Sequence, residues 1–304
     1  MMARILEGNK IADDIKAEVV EEVKELRSKG INPCLKVILV GDDPASQIYV
    51  TNKERTSKDL GMDSETIRLD KNIPQNELLG LVDKLNNDSS VHGILVQLPL
   101  PDHMNQQTVI EAVNPEKDVD GFHPMNIGRL LIGQECFVPC TPAGIMEIIK
   151  RNDIPLKGKR AVIIGRSIIV GKPVALLLMA EHATITICHS RTVDLPGVAS
   201  EADILVAAIG RPAMVTDEFV KPGAVVIDVG VNRVEKLEEV KDYFGDNEKK
   251  LAAFEKRGSV LVGDVHPRKV YPVAGAITPV PGGVGPLTIA MLMKSTVKAA
   301  RKTL

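Results

Sequence analysis

Apolar residues recur along the first third of the chain at two alternating periods, and that alternation predicts an α/β fold. Ile11, Ile15, Val19, Val23 and Leu26 fall three or four apart, the spacing of one helix face. They predict an amphipathic helix over Asn9–Lys29, ended by Gly30. Leu35–Val40 is a largely apolar run closed by Gly41-Asp42-Asp43-Pro44, which reads as a strand and its turn. A helix follows over about Ala45–Leu60, then a strand at Ser64–Leu69 and a helix at Asn76–Leu85. A strand at Val91–Leu98 stops at Pro99 and Pro101, and a helix is predicted over about Gln106–Ala112. This βαβα order makes the first part an α/β domain in its own right.

The second part is organised by one stretch, Gly158–Arg191. After a helix at Pro142–Arg151, Ala161–Ile164 is a short run rich in β-branched residues, ended by Gly165. Gly171 and Pro173 stand where a helix begins, Val174–Ala180 continues it, and Ala183–Cys188 is the next strand. A parallel pair needs such a crossover, so this is a βαβ unit. Ile204–Ala207, Ala224–Val229 and Ser259–Val262 are further strand-like runs. Val234–Arg257, rich in Glu and Lys, reads as a solvated, helix-prone insertion, and a last helix is expected from Pro286 to about Lys302. With 304 residues, two domains are expected.

The net charge of −2 and a pI near 6.3 supply no field for nucleic acid or an acidic membrane. Aromatic residues are 3% of the chain with no Trp, which removes most base-stacking platforms. No apolar run approaches the roughly 18 residues of a membrane span, and the first residues lack a signal-peptide core. Cys34 and Cys188 lie in apolar runs, and Cys136 and Cys140 have no second Cys or His pair nearby, so no metal site is expected. A soluble, reduced, cytoplasmic protein is the plain expectation.

The Gly165 turn opens a helix, and its backbone N–H groups make a ready anion site beside Arg166. A G-x-G-x-x-G pattern would need glycines at 167 and 170, where the chain has Ser167 and Val170, so the glycines alone are a weak signal. An NAD site commonly ends its second strand with an acid for the ribose 2′-OH. Here that strand ends His189-Ser190-Arg191, and a hydroxyl with an arginine suits a 2′-phosphate, which favours NADP. The competing view is that Arg166 and Arg191 are solvated loop charges.

Tyr49 and Lys53, at i and i+4, share one helix face. A lysine facing a cleft can serve as acid or base, although Arg55 and Lys58 close by make a surface lysine the simpler reading. Gln97 sits near the carboxyl end of a strand, where open α/β sheets bind ligands. Asp118 and Asp120, two apart, face opposite ways if extended, so at most one lines a given cleft. Either is equally readable as a turn residue. Thr278–Pro286 (T-P-V-P-G-G-V-G-P) predicts a rigid loop whose Gly282-Gly283 pair lets a ligand approach the backbone.

Taken in order, these pieces resemble the bifunctional methylenetetrahydrofolate dehydrogenase/methenyltetrahydrofolate cyclohydrolase family over nearly the whole length. Tyr49-Val-Thr-Asn-Lys53 resembles its Y-V-x-x-K, and Gly93–Pro101 its G-I-L-V-Q-L-P-L-P. Pro115–Pro124, Pro139–Pro142, Gly165–Pro173 and Thr278–Thr288 agree as well. The resemblance implies two α/β domains with a cleft between them and a homodimer. Residues 1–141 with 286–304 would form the folate-binding domain, and 142–285 a Rossmann-type dinucleotide-binding domain. It implies Lys53 as the catalytic lysine, supported by Gln97, with Tyr49 stacking on the folate and Asp120 holding the pterin-like ring. Leu98, Pro99, Pro279, Gly282 and Gly283 would also contact the folate. Gly165, Arg166, Ser167, Ser190, Arg191 and Val231 would bind NADP.

Two departures stand out. The family usually reads G-D-V-D after its last sheet strand, where this chain has Gly263-Asp264-Val265-His266, and Val234–Arg257 is longer than expected. No ligase domain is appended, so formate activation is expected from elsewhere. A two-domain dehydrogenase of the shikimate type would explain the middle unit but not the Pro-Gly loop. A non-catalytic nucleotide-binding module would leave the Tyr49/Lys53 face unexplained.

Overall fold

The computed structural model describes residues 2–304. The elements run in chain order from a two-residue strand β1 (Arg4–Ile5) and helix α1 (Gly8–Ser28). There follow β2 (Cys34–Val40), α2 (Pro44–Asp59), β3 (Asp63–Leu69), α3 (Gln75–Asn87) and β4 (Gly93–Val96). Three helices come next, α4 (Gln106–Ala112), α5 (Pro124–Leu131) and α6 (Cys140–Arg151). The βαβ unit is β5 (Arg160–Ile164), α7 (Gly171–Ala180) and β6 (Thr184–Cys188). Then come α8 (Leu195–Ala199), β7 (Ile204–Ala207), β8 (Val225–Asp228) and β9 (Asn232–Val234). The last third holds α9 (Leu237–Phe244), α10 (Glu248–Arg257), β10 (Val260–Val262), α11 (Pro267–Val270), β11 (Ala276–Ile277) and α12 (Val284–Arg301).

The chain forms two compact units. One comprises residues 12–140 and 288–304, the other residues 1–11 and 141–287. In the first unit, β2 lies between β3 and β4 in a three-stranded parallel sheet. One core on this sheet joins Ile38, Val40 and Ile94 to Leu78 and Val82 of α3 and Val109 of α4. Pro44 opens α2, and Asp43 caps it by accepting from the Ser46 amide at 2.8 Å. The C-terminal helix contributes a buried stripe that includes Met293, Thr296 and Val297, and Arg301 reaches Glu22 and Glu25.

The second unit carries a six-stranded parallel sheet in the order β1-β11-β8-β7-β5-β6. Strand order reverses at β5, with β6 on one side and β7 on the other, which is where doubly wound sheets bind their ligands. Its core gathers Val162, Leu205, Val226 and Ile277 from the strands with Ala199, Phe219 and Val270. The first eleven residues belong to this unit, not with the rest of 1–141. Arg4 N donates to Gly275 O at 2.9 Å and Leu6 N to Ile277 O at 2.8 Å, which ties β1 to β11.

The strand expected at Ser259–Val262 forms over Val260–Val262 and pairs antiparallel with β9 in a separate two-stranded ribbon. One other expectation changes. The segment 234–257 has a core of its own. Val240 is fully buried against Ala213, Val234, Val260 and Val262, with Tyr243, Phe244, Leu251 and Phe254 packed around them. Its charges line the outer face while an apolar stripe at three- and four-residue spacing closes on the ribbon. No helix among the described residues is long and apolar enough to cross a membrane.

If this segment is packed, Val240→Ala removes buried methyl groups from a small core and loosens it by about 2 kcal/mol. Limited proteolysis should then cut within 237–257 faster in the variant than in the parent. Equal cutting rates would mean the segment is as solvated as its charge suggests.

Candidate active site

Lys53 lies on the inward stripe of α2. Ser46, Val50, Lys53, Ser57 and Leu60, three or four apart, are its buried positions, and Lys53 is only 8% exposed. Its neighbours behave as ordinary surface cations: Arg55 is exposed, and Lys58 pairs with Glu54 at 2.5 Å. The Lys53 Nζ donates to Gln97 Oε1 at 3.0 Å. Gln97 follows β4, its amide N–H donates to Ile38 O of β2, and its Nε2 donates to Leu98 O at 2.7 Å. With Nε2 committed to Leu98, the side chain presents its oxygen to the lysine. The Leu98–Pro99 peptide is cis, with Leu98 half-buried and Pro99 exposed. Tyr49, one turn before Lys53, is 48% exposed, so its ring is open to a ligand.

The two aspartates of the D-V-D-G loop separate cleanly. Asp118 is buried and braces the chain: Oδ2 accepts from His123 N and Asn126 Nδ2, both at 2.8 Å, and Oδ1 from Phe122 N at 3.2 Å. Burial pushes its carboxyl up to about 6 despite those donors. Asp120 is the half-buried one. Burial raises its pKa, while the Lys53 ammonium and a hydrogen bond from the Cys140 thiol pull it down. Burial also drives the Cys140 thiol well up, so it acts as a neutral donor and not as a nucleophile. Lys53, Gln97 and Asp120 therefore form one cluster: a cation, its orienting amide and a carboxyl that, among the described residues, accepts from no backbone amide.

In the second unit the dinucleotide turn is a tight cradle. Gly165 has φ +123°, and a Cβ there would lie 2.2 Å from Ala208 O at the end of β7. A Cβ on Gly171, at the start of α7, would lie 2.2 Å from Gly165 O. Only glycines fit, and the backbone is left bare between the ends of β5 and β7. The Ser167 hydroxyl accepts from the amides of Val170 and Gly171, both at 3.2 Å, and so shapes the turn. Residues 166–169 form its exposed crest. The next strand ends in a turn in which His189 N donates to Thr192 Oγ1 and Arg191 N to His189 Nδ1, leaving Ser190 and Arg191 exposed. Among the described residues, no carboxylate pairs with Arg166 or Arg191. The cradle and two unpaired guanidinium groups fit a dinucleotide bearing a 2′-phosphate. Val231, 47% exposed, stands just after β8.

Residues 6–120 match the model of the tetrahydrofolate dehydrogenase/cyclohydrolase catalytic domain, and residues 139–304 that of the same family's NAD(P)-binding domain. The chain belongs to the tetrahydrofolate dehydrogenase/cyclohydrolase family. The bifunctional protein FolD of Koribacter versatilis is 56% identical over 301 residues, covering 99% of this chain and 98% of that protein. The FolD of Moorella thermoacetica is 55% identical over 302 residues, covering 99% and 100%. The crystal structure of FolD from Campylobacter jejuni matches with a TM-score of 0.91 at 45% identity, covering 99% of this chain and 100% of that one. The Trypanosoma brucei enzyme, solved with NADP cofactor and an inhibitor, matches with a TM-score of 0.88 at 38% identity, covering 100% and 99%. Family membership sets aside the shikimate-type reading.

Two buried acids outside the sequence-predicted site hold the loops at the carboxyl ends of β7 and β8. Asp264 is completely buried and accepts from the amides of Ile209, Gly210 and Arg211 and from Asn232 Nδ2, all at 2.7–3.0 Å. It thereby fixes the loop after β7 and the residue next to Val231. Asp228, at the end of β8, accepts from the amides of Gly230, Asp264 and Val265. A lone acid closing the apolar run V-V-I-D was the available signal. His266, the departure from G-D-V-D, is buried, sits edge-on to the Tyr243 ring at 5.5 Å and has Asp242 Oδ2 3.5 Å from Nε2. The histidine packs on the segment 234–257.

The Pro-Gly loop uses its glycines inwardly. A Cβ on Gly283 would lie 2.6 Å from the loop's own Pro279 O, and one on Gly8 would lie 1.8 Å from Gly283 O. Gly282 O accepts from the amides of Gly8 and Asn9, and Thr278 Oγ1 accepts from Asp228 N at 2.8 Å. Pro279 is half-buried and Gly283 buried.

Burial pushes Asp228 up to about 8 against its three amide donors. A carboxyl whose folded pKa lies above its ordinary value near 4 stabilises the fold fully below pH ~4 and loses that contribution as pH rises through about 8. Asp118 acts in the same sense but is spent by about pH 6. Urea unfolding between pH 6 and pH 8 should show stability falling more steeply in the parent than in Asp228→Asn, by up to about 1.4 kcal/mol per pH unit. Parallel pH profiles would place the Asp228 proton elsewhere.

Proposed function

We propose that the chain oxidises 5,10-methylenetetrahydrofolate with NADP and hydrolyses the resulting 5,10-methenyltetrahydrofolate to 10-formyltetrahydrofolate. The observation that carries this reading is the buried Lys53, oriented by Gln97 and set beside Asp120, within the family's catalytic domain. NADP, when bound, supplies the hydride acceptor. Gly165, Arg166, Ser167, Ser190, Arg191 and Val231 are the residues proposed to hold it, with the two arginines on phosphate. The full-length FolD relatives and the NADP complex of the trypanosomal enzyme support the assignment.

The first step needs mainly placement, because the folate nitrogens stabilise the cation left by hydride loss. In our reading Asp120 fixes the pterin-like ring by accepting from two adjacent N–H donors. Tyr49 stacks on the ring system, and Leu98, Pro99 and the Pro279, Gly282 and Gly283 loop contact the substrate. The second step forms a bond from water to the methenyl carbon and breaks one of that carbon's two bonds to nitrogen; both protons leave the water, one going to the departing nitrogen and the other to solvent. Lys53 Nζ is the atom assigned to move these protons, because Gln97 Oε1 holds one of its N–H bonds and fixes its direction. Hydrolysis uses no cofactor, so the two activities separate by mutation.

We further propose a homodimer in the cytoplasm. Strand β6 is an edge of the six-stranded sheet with Ile187 exposed, a surface suited to a second copy. All four cysteines are buried and unpaired, in keeping with a reducing compartment.

Two variants test the chemistry by methenyl absorbance. Lys53→Ala should slow hydrolysis by about a hundredfold or more while NADP still binds. Hydrolysis at the parental rate would remove Lys53 from the mechanism. Arg191→Ala should raise the KM for NADP by about tenfold and leave that for NAD unchanged, because only NADP carries the 2′-phosphate. Equal losses with both cofactors would mean Arg191 does not read that phosphate.

A further inference from the structure

The reading above gives no role to the charged segment 234–257. Its second helix, α10, has no fully buried residue, yet Lys250 is turned inward and half-buried. Its Nζ lies 4.2 Å from the centre of the Phe244 ring and donates to two carbonyls, Leu261 O at 3.2 Å and Val280 O at 3.5 Å. Among the described residues no carboxylate pairs with it. Burial lowers its pKa. An ammonium drawn from water without a counter-ion is costly unless carbonyl oxygens and a ring face replace its hydration.

One of those carbonyls belongs to the Pro-Gly loop. That loop is anchored at its start, where Thr278 bonds Asp228, and near its end, where Gly282 O takes the amides of Gly8 and Asn9. Val280 lies midway between the two anchors. Phe244 of α9 reaches the same stretch: it lines, with Thr278, Val280 and Tyr271, a cavity of about 20 Å³ beside Asp228. Such a space holds at most one water molecule. Both helices of the segment 234–257 therefore bear on the base of the loop, one by packing and one by a charge.

We infer that Lys250 is a positioning residue for the folate-facing loop, acting through the Val280 carbonyl. This rests on the proposed contact of Pro279, Gly282 and Gly283 with the folate. The segment 234–257 is then part of the enzyme's substrate machinery, and an ammonium outside the catalytic cluster sets where the loop backbone meets the substrate.

The test compares Lys250→Met, which keeps the apolar stem, with Lys250→Arg, which keeps the charge, in the full-length protein. Steady-state kinetics with both substrates are combined with amide exchange of the peptide covering 278–285 in free protein. In Lys250→Met the loop amides should exchange faster and the KM for methylenetetrahydrofolate should rise about tenfold, with the KM for NADP within about twofold of the parent. Lys250→Arg should recover most of that loss. Unchanged loop exchange would overturn the inference and leave the folate reading of the loop standing. Faster exchange with an unchanged folate KM would overturn that reading, and the inference with it. Equal increases in both KM values with a lowered Tm would make Lys250 a stabiliser of its own segment only.

Discussion

Asp264 has no contact with water, and its two oxygens take hydrogen bonds from four nitrogens. Three of these are consecutive amides of the loop after β7, so a single carboxyl bends that loop around itself. Its own amide donates to Asp228 at 2.8 Å, and Asp228 is bonded through its backbone to Thr278. The chain of contacts runs from the β7 loop through two acids to the head of the Pro-Gly loop. A buried acid tolerates this only if its oxygens are fully used. The carboxyl edge of the large sheet therefore keeps one shape before any ligand arrives.

The smaller unit repeats the device with a division of labour. Asp118 spends its oxygens on Phe122, His123 and Asn126, which leads the chain into α5. Asp120, two residues on, stays half-buried, with the Lys53 ammonium and the Cys140 thiol as the groups that favour its charged form. One acid builds the loop and the other is left for a ligand. The lysine opposite is drawn inward because its place on α2 falls in the buried stripe, and an amide oxygen takes the place of water.

Much of this was legible in the sequence. Regular spacing in α1 and α3, the unbroken β-branched runs of the sheets, and the glycine turn after β5 each have one physical solution. The arginine in place of an acid after β6 was equally plain. The spacing of Asp118 and Asp120 said that they point apart but not which one turns inward, since that depends on donors from α5. Helix α5 is only eight residues long and follows directly on a loop, its one buried residue is the polar Asn126, and Met125 and Leu131 are exposed. A two-residue strand such as β1 is below any pattern. The segment 234–257 misled because Glu and Lys outnumber its apolar residues, although Val240, Phe244, Leu251 and Phe254 already fell on one side. Strand character in Val260–Val262 did not reveal its partner, because periodicity says nothing of pairing. The Gly282-Gly283 pair suggested open access, whereas the structure fills the space at Gly283 with the loop's own carbonyl.

The pairing of Arg4 with Ala276 has a consequence for how the molecule is made. The large sheet cannot be finished from neighbouring segments, since its outermost strand β1 and that strand's partner β11 lie about 270 residues apart along the chain. Contacts of such separation in sequence close slowly, after the intervening chain has condensed. Until β11 emerges, the outer side of β8 stays an open edge with unpaired amides and carbonyls. The edge of the large sheet is therefore completed by a contact that only the condensed chain can make.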